Sequence, residues 1–157
     1  FSKLWGLLAF SGTFERHPEL KVIFTEGGIG WVPTALFDAD RLYREFESEM
    51  RPQLAELPSY YWWQNCYSTF MDDPTGIREI DQIGADHTMW TFDYPHPEST
   101  LGESRRILKE IYDVMPEADA NMIAGGTAAK VWKIENVAER VAAKREARDK
   151  LAVAGGD

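Results

Sequence analysis

Apolar residues recur along the chain with two different spacings, and the alternation between them predicts an α/β fold. Short runs rich in β-branched and aromatic residues predict three buried strands, at 20–25, 66–70 and 88–92. Between these runs the apolar positions fall three and four residues apart, as they do on one face of a helix. Because helices of this kind cross back over a sheet, we expect the strands to run parallel.

Helix signals precede, separate and follow the strands. The clearest helix begins after Gly30 and keeps one apolar face until Arg51-Pro52 stops it, since proline breaks a helix. Asp73-Pro74 is typical of a second helix start, with the aspartate as N-cap. The predicted buried positions are Val32, Leu36, Ala39, Tyr43, Phe46 and Met50 in the first helix, and Ile77, Ile80 and Ile83 in the second. Further helices are expected over 1–10, 57–63 and 103–112, and from Thr127 through Val141.

The length of 157 residues suits one domain, and no internal repeat or flexible linker divides it. We expect a single partial domain over 1–157, in which 139–157 is a charged helical tail. The chain opens at Phe1 inside an apolar pattern without a cap, which predicts that it is truncated at its start. Three parallel strand-helix units can form an open sheet or the last part of an eight-stranded barrel, and spacing does not choose between them.

The amino-acid composition limits which classes of partner the protein is expected to bind. A net charge of −9 argues against a nucleic-acid groove or an anionic membrane surface, because both require clustered lysine and arginine. No apolar run approaches the roughly 20 residues that span a bilayer. A single cysteine, Cys66, cannot form an internal disulfide, and it is expected to be buried packing. We therefore expect a cytoplasmic protein that binds a small-molecule substrate, without nucleic acid or membrane as partners.

Acidic residues follow each predicted strand. They are Glu26, then Asp72 and Asp73, then Asp93, which is joined by His96. The carboxyl ends of parallel strands share one rim, where α/β folds hold their chemistry, so these side chains are predicted to converge. Acids and histidines at one rim suit a divalent metal or an acid-base pair.

Each of these residues also has a purely structural interpretation. Asp93 and His96 can order a proline-rich turn, and Glu26 can belong to an ion pair. Asp73 is explained best as a helix cap, and Asp72 is undecided. His17 and His87 are both expected at the surface.

Glycines at 27, 28 and 30 precede a helix and invite an anion-cradle interpretation. The match to a dinucleotide fingerprint is poor, because Pro33 stands where the third glycine would be. A sharp turn beneath a substrate, or a simple tight turn, explains these glycines better. Gly125-Gly126-Thr127 also precedes a helix, and Thr127 is expected to be its N-cap.

Four segments in register carry a resemblance to a known family. They are 12–33, 65–74 (Asn-Cys-Tyr-Ser-Thr-Phe-Met-Asp-Asp-Pro), 83–97, which ends Thr-Phe-Asp-Tyr-Pro-His-Pro, and 125–132. In this order and spacing the chain resembles the carboxyl-terminal part of the amidohydrolase-2 family. This family includes aminocarboxymuconate-semialdehyde decarboxylase and related aromatic-acid decarboxylases.

The resemblance implies the last three strand-helix units of a TIM-barrel-like fold, with one divalent metal ion, commonly zinc. It makes Asp93 the metal ligand of the last strand and places the histidine ligands upstream of this chain. Asp93, Glu26 and His96 are then the catalytic candidates, and Asp72, Trp31 and Gly28 the substrate-binding candidates. Glu26 departs from the decarboxylases, which carry a histidine at this position. The difference matters for the mechanism, because a glutamate cannot stabilise negative charge as an imidazolium does.

Three hypotheses follow for the function. The leading one is a metal-dependent hydrolase that acts on a small organic substrate through a metal-activated water. The second is a non-oxidative decarboxylase of an aromatic or unsaturated carboxylic acid. The third is a non-catalytic fragment or assembly module, since the chain holds at most one expected ligand. The intact protein is expected to be a homo-oligomer.

Overall fold

A three-stranded parallel sheet forms the centre of the computed structural model, which describes residues 1–154. The strands are β1 (Val22–Phe24), β2 (Cys66–Phe70) and β3 (Thr88–Trp90), in the order β1-β2-β3. Phe24 pairs with Ser68, and Ser68 pairs with Thr88, so one row of residues crosses the whole sheet. The sheet confirms the predicted α/β class. β2 has the predicted bounds, whereas β1 and β3 are shorter than predicted.

Helices precede, connect and follow the strands along the chain. They are α1 (Ser2–Phe10), α2 (Thr13–Arg16), α3 (Val32–Phe46), α4 (Pro58–Asn65), α5 (Ile80–Ile83), α6 (Ser104–Val114), α7 (Glu117–Asn121), α8 (Thr127–Val131) and α9 (Val137–Ala154). Short 3₁₀ turns cover Gly76–Glu79, Ala85–His87 and Leu101–Glu103, and a π-type turn covers Met122–Gly126. No helix among residues 1–154 combines the length and apolar character that a bilayer crossing requires.

Contacts divide the chain into two compact units, Phe1–Thr127 and Ala128–Asp157. The first unit contains the sheet and its hydrophobic core. Trp5, Phe14, Phe24, Trp62, Phe70, Ile83 and Ile111 are among its fully buried side chains. The second unit contains most of α8 and all of the described part of α9. α9 covers most of the segment predicted to be a charged helical tail, and positions 155–157 of that prediction lie outside the described residues.

Two predicted helices differ from the prediction in their limits. α3 buries Val32, Leu36, Ala39 and Tyr43 as predicted, but it ends at Phe46 and not at the proline after Arg51. The predicted burial of Phe46 is wrong, because this last residue of the helix is 38% exposed, and Met50 lies beyond the helix and is half-buried. The three isoleucines at 77, 80 and 83 are all buried, as predicted. A 3₁₀ turn followed by α5 carries them, and no continuous helix starts at Asp73.

The long final helix predicted from Thr127 through Val141 is wrong. The backbone leaves the helix between α8 and α9, where Lys133 and Asn136 have φ values of 52° and 56°. Trp132 is 56% exposed, so the apolar spacing there does not mark a buried face. Thr127 is not the predicted cap either, because its Oγ1 donates a hydrogen bond to the carbonyl oxygen of Ala85 at 2.9 Å.

The prediction of a surface His87 is also wrong. His87 is only 9% exposed, its Nδ1 lies 2.8 Å from the carbonyl oxygen of Cys66, and its ring stacks on Tyr67 with centroids 5.2 Å apart. This histidine therefore packs against β2 as a buried, hydrogen-bonded residue. His17 is exposed, as predicted.

Candidate functional site

The carboxyl ends of the three strands lie at one edge of the sheet, because all strand pairs are parallel. At the end of β1, the backbone N–H of Glu26 donates a hydrogen bond to Oγ1 of Thr69 in β2, at 3.2 Å. At the end of β3, the N–H of Thr91 donates to the carbonyl oxygen of Phe70, at 2.9 Å. These bonds extend the sheet to the loops that carry the predicted site residues.

The loop after β1 is a glycine turn built around the side chain of Asp73. Oδ2 of Asp73 accepts hydrogen bonds from the N–H of Ile29 at 2.8 Å and of Gly30 at 2.9 Å. Oδ1 accepts a third from the N–H of Gly76, at 2.8 Å. The amides that the sequence suggested as an anion cradle therefore bind a carboxylate of the same chain. The predicted capping role is present as well, in the bond to Gly76.

The pKa of Asp73 reflects these contacts. Burial alone would raise it, but the backbone N–H donors of Ile29, Gly76, Gly30 and Thr75 hold the pKa below its ordinary value of 3.8. The carboxylate is therefore charged at neutral pH and neutralises the partial positive charge of the converging amides.

Trp31 fixes the same glycine turn from its other end. Its Nε1–H donates to the carbonyl oxygen of Gly28 at 3.1 Å. The indole ring also makes edge contacts with Phe24 and Trp62, with centroids 5.4 and 5.7 Å apart. Gly28 itself has a φ of 66°, the left-handed conformation that favours glycine. Both predicted substrate-binding residues of this loop thus have a structural role in the turn.

Asp72 is neutralised by an arginine that the sequence did not single out. Nη2 of Arg106 in α6 lies 2.6 Å from Oδ2 of Asp72, and the same guanidinium binds Glu103 at 2.9 Å and Glu110 at 2.8 Å. An arginine has five N–H donors in a planar fork, so it can bind several carboxylates at once. This cluster ties the loop after β2 to the helix that follows β3.

Asp93 and His96 come together at the end of β3. Nδ1 of His96 is 3.5 Å from Oδ2 of Asp93, and the backbone N–H of His96 donates to the Asp93 carbonyl oxygen at 2.9 Å. The side chain of Asp93 is 23% exposed and that of His96 is 54% exposed. The tight turn considered from the sequence exists, and it presents both groups toward solvent at the rim.

Both candidate acids have a left-handed backbone conformation. Glu26 and Asp93 have φ values of 64° and 52°, and among residues 1–154 only Lys133 and Asn136 share this conformation outside glycine. The left-handed region is unfavourable for most residues with a side chain, although aspartate and asparagine adopt it more readily, and such strain clusters at active sites and binding loops. The fold therefore holds Glu26 in a conformation that it would not adopt freely, and Asp93 in one that costs an aspartate less.

Cys66 does not contribute to the rim chemistry. It is fully buried at the start of β2, and burial raises the pKa of its thiol to about 12. The sequence-based prediction of a packing role is therefore confirmed.

The donor set fits part of a metal site. Asp93 supplies carboxylate oxygen and His96 imidazole nitrogen, both common ligands of divalent metals. Within residues 1–154, no three His, Cys, Asp or Glu side chains converge well enough to hold a metal ion. A complete centre therefore needs ligands in addition to those in the described part of the chain.

Similar solved structures share this arrangement of strands and helices. The 5-carboxyvanillate decarboxylase from Sphingomonas paucimobilis aligns with 82% of this chain and 38% of its own, at a TM-score of 0.69 and 25% identity. A dihydroxybenzoic acid decarboxylase from Polaromonas sp., solved with bound manganese and 2-nitroresorcinol, aligns with 87% of this chain and 40% of its own. Its TM-score is 0.67 and its sequence identity is 24%. An amidohydrolase from Mycobacterium avium subsp. paratuberculosis aligns with 82% of this chain and 32% of its own, at a TM-score of 0.69 and 21% identity.

The parallel sheet, with its acids at the carboxyl edge, defines this chain as part of an α/β fold of the amidohydrolase type. A family model described as amidohydrolase matches residues 2–134, most of the chain. The chain belongs to this family, which confirms the resemblance found in the sequence. It spans less than half the length of each of the three solved structures.

Proposed function

We propose that the intact protein is a metal-dependent decarboxylase of an aromatic carboxylic acid. The observation that carries the proposal is the strained pair of acids, Glu26 and Asp93, at the carboxyl ends of parallel strands. The similarity to 5-carboxyvanillate decarboxylase supports decarboxylation over the hydrolysis that the sequence placed first. The substrate binding and the reaction are assigned to the whole protein, of which this chain is a part.

Asp93 is the residue of this chain that would hold the metal, through a carboxylate oxygen. When bound, a divalent cation polarises substrate oxygens and stabilises negative charge that develops on them. The ion is either zinc, as the resemblance implies, or manganese, which a similar structure contains. Carboxylate-rich sites suit manganese, whereas imidazole-rich sites suit zinc.

Glu26 and His96 are the residues that would handle protons. In decarboxylation the bond between the ring carbon and the carboxylate breaks, carbon dioxide leaves, and the electron pair stays on the ring carbon. A proton must then be delivered to that carbon. We assign this delivery to the carboxyl group of Glu26, a general acid of the kind that such transfers use, which is exposed and regains its proton from solvent. His96, beside Asp93, orients the substrate or shuttles protons at the end of β3.

A metal-dependent hydrolase is the second candidate, and the identity of Glu26 favours it. A carboxylate accepts a proton from water well, and the aromatic-acid decarboxylases that the sequence resembles carry a histidine at this position. In that case Glu26 acts as a general base, and Asp93 keeps the same role. The isolated 157-residue chain is expected to be inactive under either assignment, because a single carboxylate holds zinc weakly.

Assays of the full-length protein distinguish the two candidates. The protein is loaded with manganese or zinc and incubated with 5-carboxyvanillate, dihydroxybenzoates and a panel of amides and lactones. Release of carbon dioxide with a ring hydrogen in the product, lost when the metal is removed by chelation, is the expected result. Hydrolysis products without carbon dioxide would establish the hydrolase, and a metal-loaded protein without either activity would support the assembly module.

A further inference from the structure

Asp73 connects two loops of the rim that are far apart in sequence. Its carboxylate binds the amides of Ile29 and Gly30, more than 40 positions earlier, and the amide of Gly76 in its own loop. The loop after β1 thus has a specific partner in the loop after β2. That first loop begins with Glu26, whose own amide binds β2 through Thr69.

The chain leaves space for this carboxylate by means of glycine. A Cβ atom on Gly28 would lie 2.9 Å from Oδ2 of Asp73, and one on Gly76 would lie 2.7 Å from the same atom. Both distances are shorter than ordinary contacts, so a larger residue at either position would displace the carboxylate. The same Cβ on Gly30 would have its nearest contact at 3.6 Å, which is ordinary van der Waals spacing.

Glu26 needs external support to keep its conformation. Its φ of 64° is unfavourable for a residue with a side chain, and Glu26 is exposed, so burial does not hold it in place. Hydrogen bonds on both sides of Glu26 restrain the turn: its own amide binds Thr69, the amides of Ile29 and Gly30 bind Asp73, and the carbonyl oxygen of Gly28 accepts from Trp31. Strained residues persist where surrounding contacts over-determine them.

We propose that Asp73 is a positioning residue that holds the Glu26 turn in its left-handed conformation, and so places the Glu26 carboxyl group for proton transfer. The first half of this inference concerns only structure, and the second rests on the proposed function. Helix capping through Gly76 is a separate role, because it uses Oδ1, whereas the bonds to the Glu26 turn use Oδ2.

Asp73→Asn in the full-length protein separates these roles. An asparagine keeps one carbonyl oxygen, which can accept from Gly76 or from the Ile29 and Gly30 amides but not from both groups. We expect hydrogen exchange at residues 29 and 30 to rise about tenfold, because bonds to a charged acceptor are lost. Asp81→Asn, an exposed aspartate of α5, is the matched control and should leave exchange unchanged.

A double-mutant cycle tests the link to Glu26. Asp73→Asn should lower kcat about tenfold with little change in KM, and this loss should disappear in a Glu26→Gln background. If instead the double variant lost kcat by the product of the two single-variant factors, Asp73 and Glu26 would act independently, and the proposal would be overturned. So would unchanged kcat in Asp73→Asn, or unchanged exchange at residues 29 and 30. The exchange result does not depend on the reaction, so failure of the proposed function remains distinguishable.

Asp73→Ser covers the case in which Asp73→Asn fails to fold. Serine keeps a hydroxyl that can cap the amide of Gly76, but it is too short to reach the amides of Ile29 and Gly30, so it should reproduce the faster exchange at residues 29 and 30. Unchanged exchange at these two residues in Asp73→Ser would contradict the bonds to the Glu26 turn and, with them, the positioning role.

Discussion

Nδ1 of His96 lies 3.5 Å from Oδ2 of Asp93, in a turn where the aspartate has a left-handed backbone. The turn that ends β3 therefore brings together a carboxylate and an imidazole three residues apart. The sequence allows two interpretations of this segment, a proline-rich turn or a reactive site. In the structure, one turn orders the segment and also brings the two reactive groups together. The first prediction concerns this aspartate.

Asp93→Asn should lower the metal content of the full-length protein about tenfold or more, and turnover with it, because a carboxylate ligand is replaced by a neutral amide. Asparagine tolerates the left-handed backbone, so the fold should be kept. Metal analysis and circular dichroism measure the two effects. Asp81→Asn serves as the control, and full metal content with full turnover in Asp93→Asn would disprove the assignment.

Glu26→Gly and Glu26→Ala should separate strain from chemistry. Both substitutions remove the carboxyl group and should reduce kcat equally. Because a left-handed residue with a side chain costs about 1 kcal/mol or more, the glycine variant should be more stable than the alanine variant by about 1 kcal/mol. Urea unfolding of the full-length variants gives this difference. Equal stabilities would mean that Glu26 carries no strain.

The Asp73 carboxylate should make stability depend on pH in the acid range. Its pKa is lower in the folded protein than its ordinary value of 3.8, so the folded state binds fewer protons than the unfolded state near that pH. The stabilisation is complete above the ordinary pKa and is lost as the pH falls through the lower, folded-state pKa. The free energy of unfolding, measured with urea between pH 6 and pH 2, should therefore decrease less steeply with falling pH in Asp73→Asn than in the wild type. A parallel decline in both, with Asp81→Asn as reference, would contradict this prediction.

Cys66 should resist alkylation in the folded protein. With a thiol pKa of about 12, only about one molecule in ten thousand carries the reactive thiolate at pH 8, and the side chain is fully buried. Iodoacetamide labelling at Cys66, followed by peptide mass spectrometry, should be undetectable until denaturant unfolds the protein. Rapid labelling under native conditions would show that β2 opens locally.

Local patterns were sufficient where one element buries one face. The limits of β2, the buried stripe of Ile77, Ile80 and Ile83, and the burial of Cys66 all follow from apolar spacing and residue type. These features depend on neighbours within a few residues, which the sequence lists directly. The same kind of pattern failed at Trp132, because apolar spacing does not reveal where the backbone leaves a helix.

Polar partners were not predictable in this way. His87 and Thr127 bind the carbonyl oxygens of Cys66 and Ala85, and nothing near either residue in sequence indicates this. Arg106 was missed although its three carboxylates bind it closely, since arginine on a helix is ordinary surface composition. Glycines 27, 28 and 30 were the one visible signal, and they were explained better as a turn than as a cradle for an external anion.

The sequence by itself determined the α/β class, the order of the strands and helices, the family, and the position of Glu26 and Asp93 at strand ends. These properties follow from periodicity, from residue types and from four motifs in register. Only the tertiary structure decided that the glycine turn binds Asp73, that Asp72 pairs with Arg106, and that His96 lies beside Asp93. Hydrogen bonds and ion pairs form between groups brought together by strand register and loop conformation, and a residue's own neighbours in sequence do not specify them.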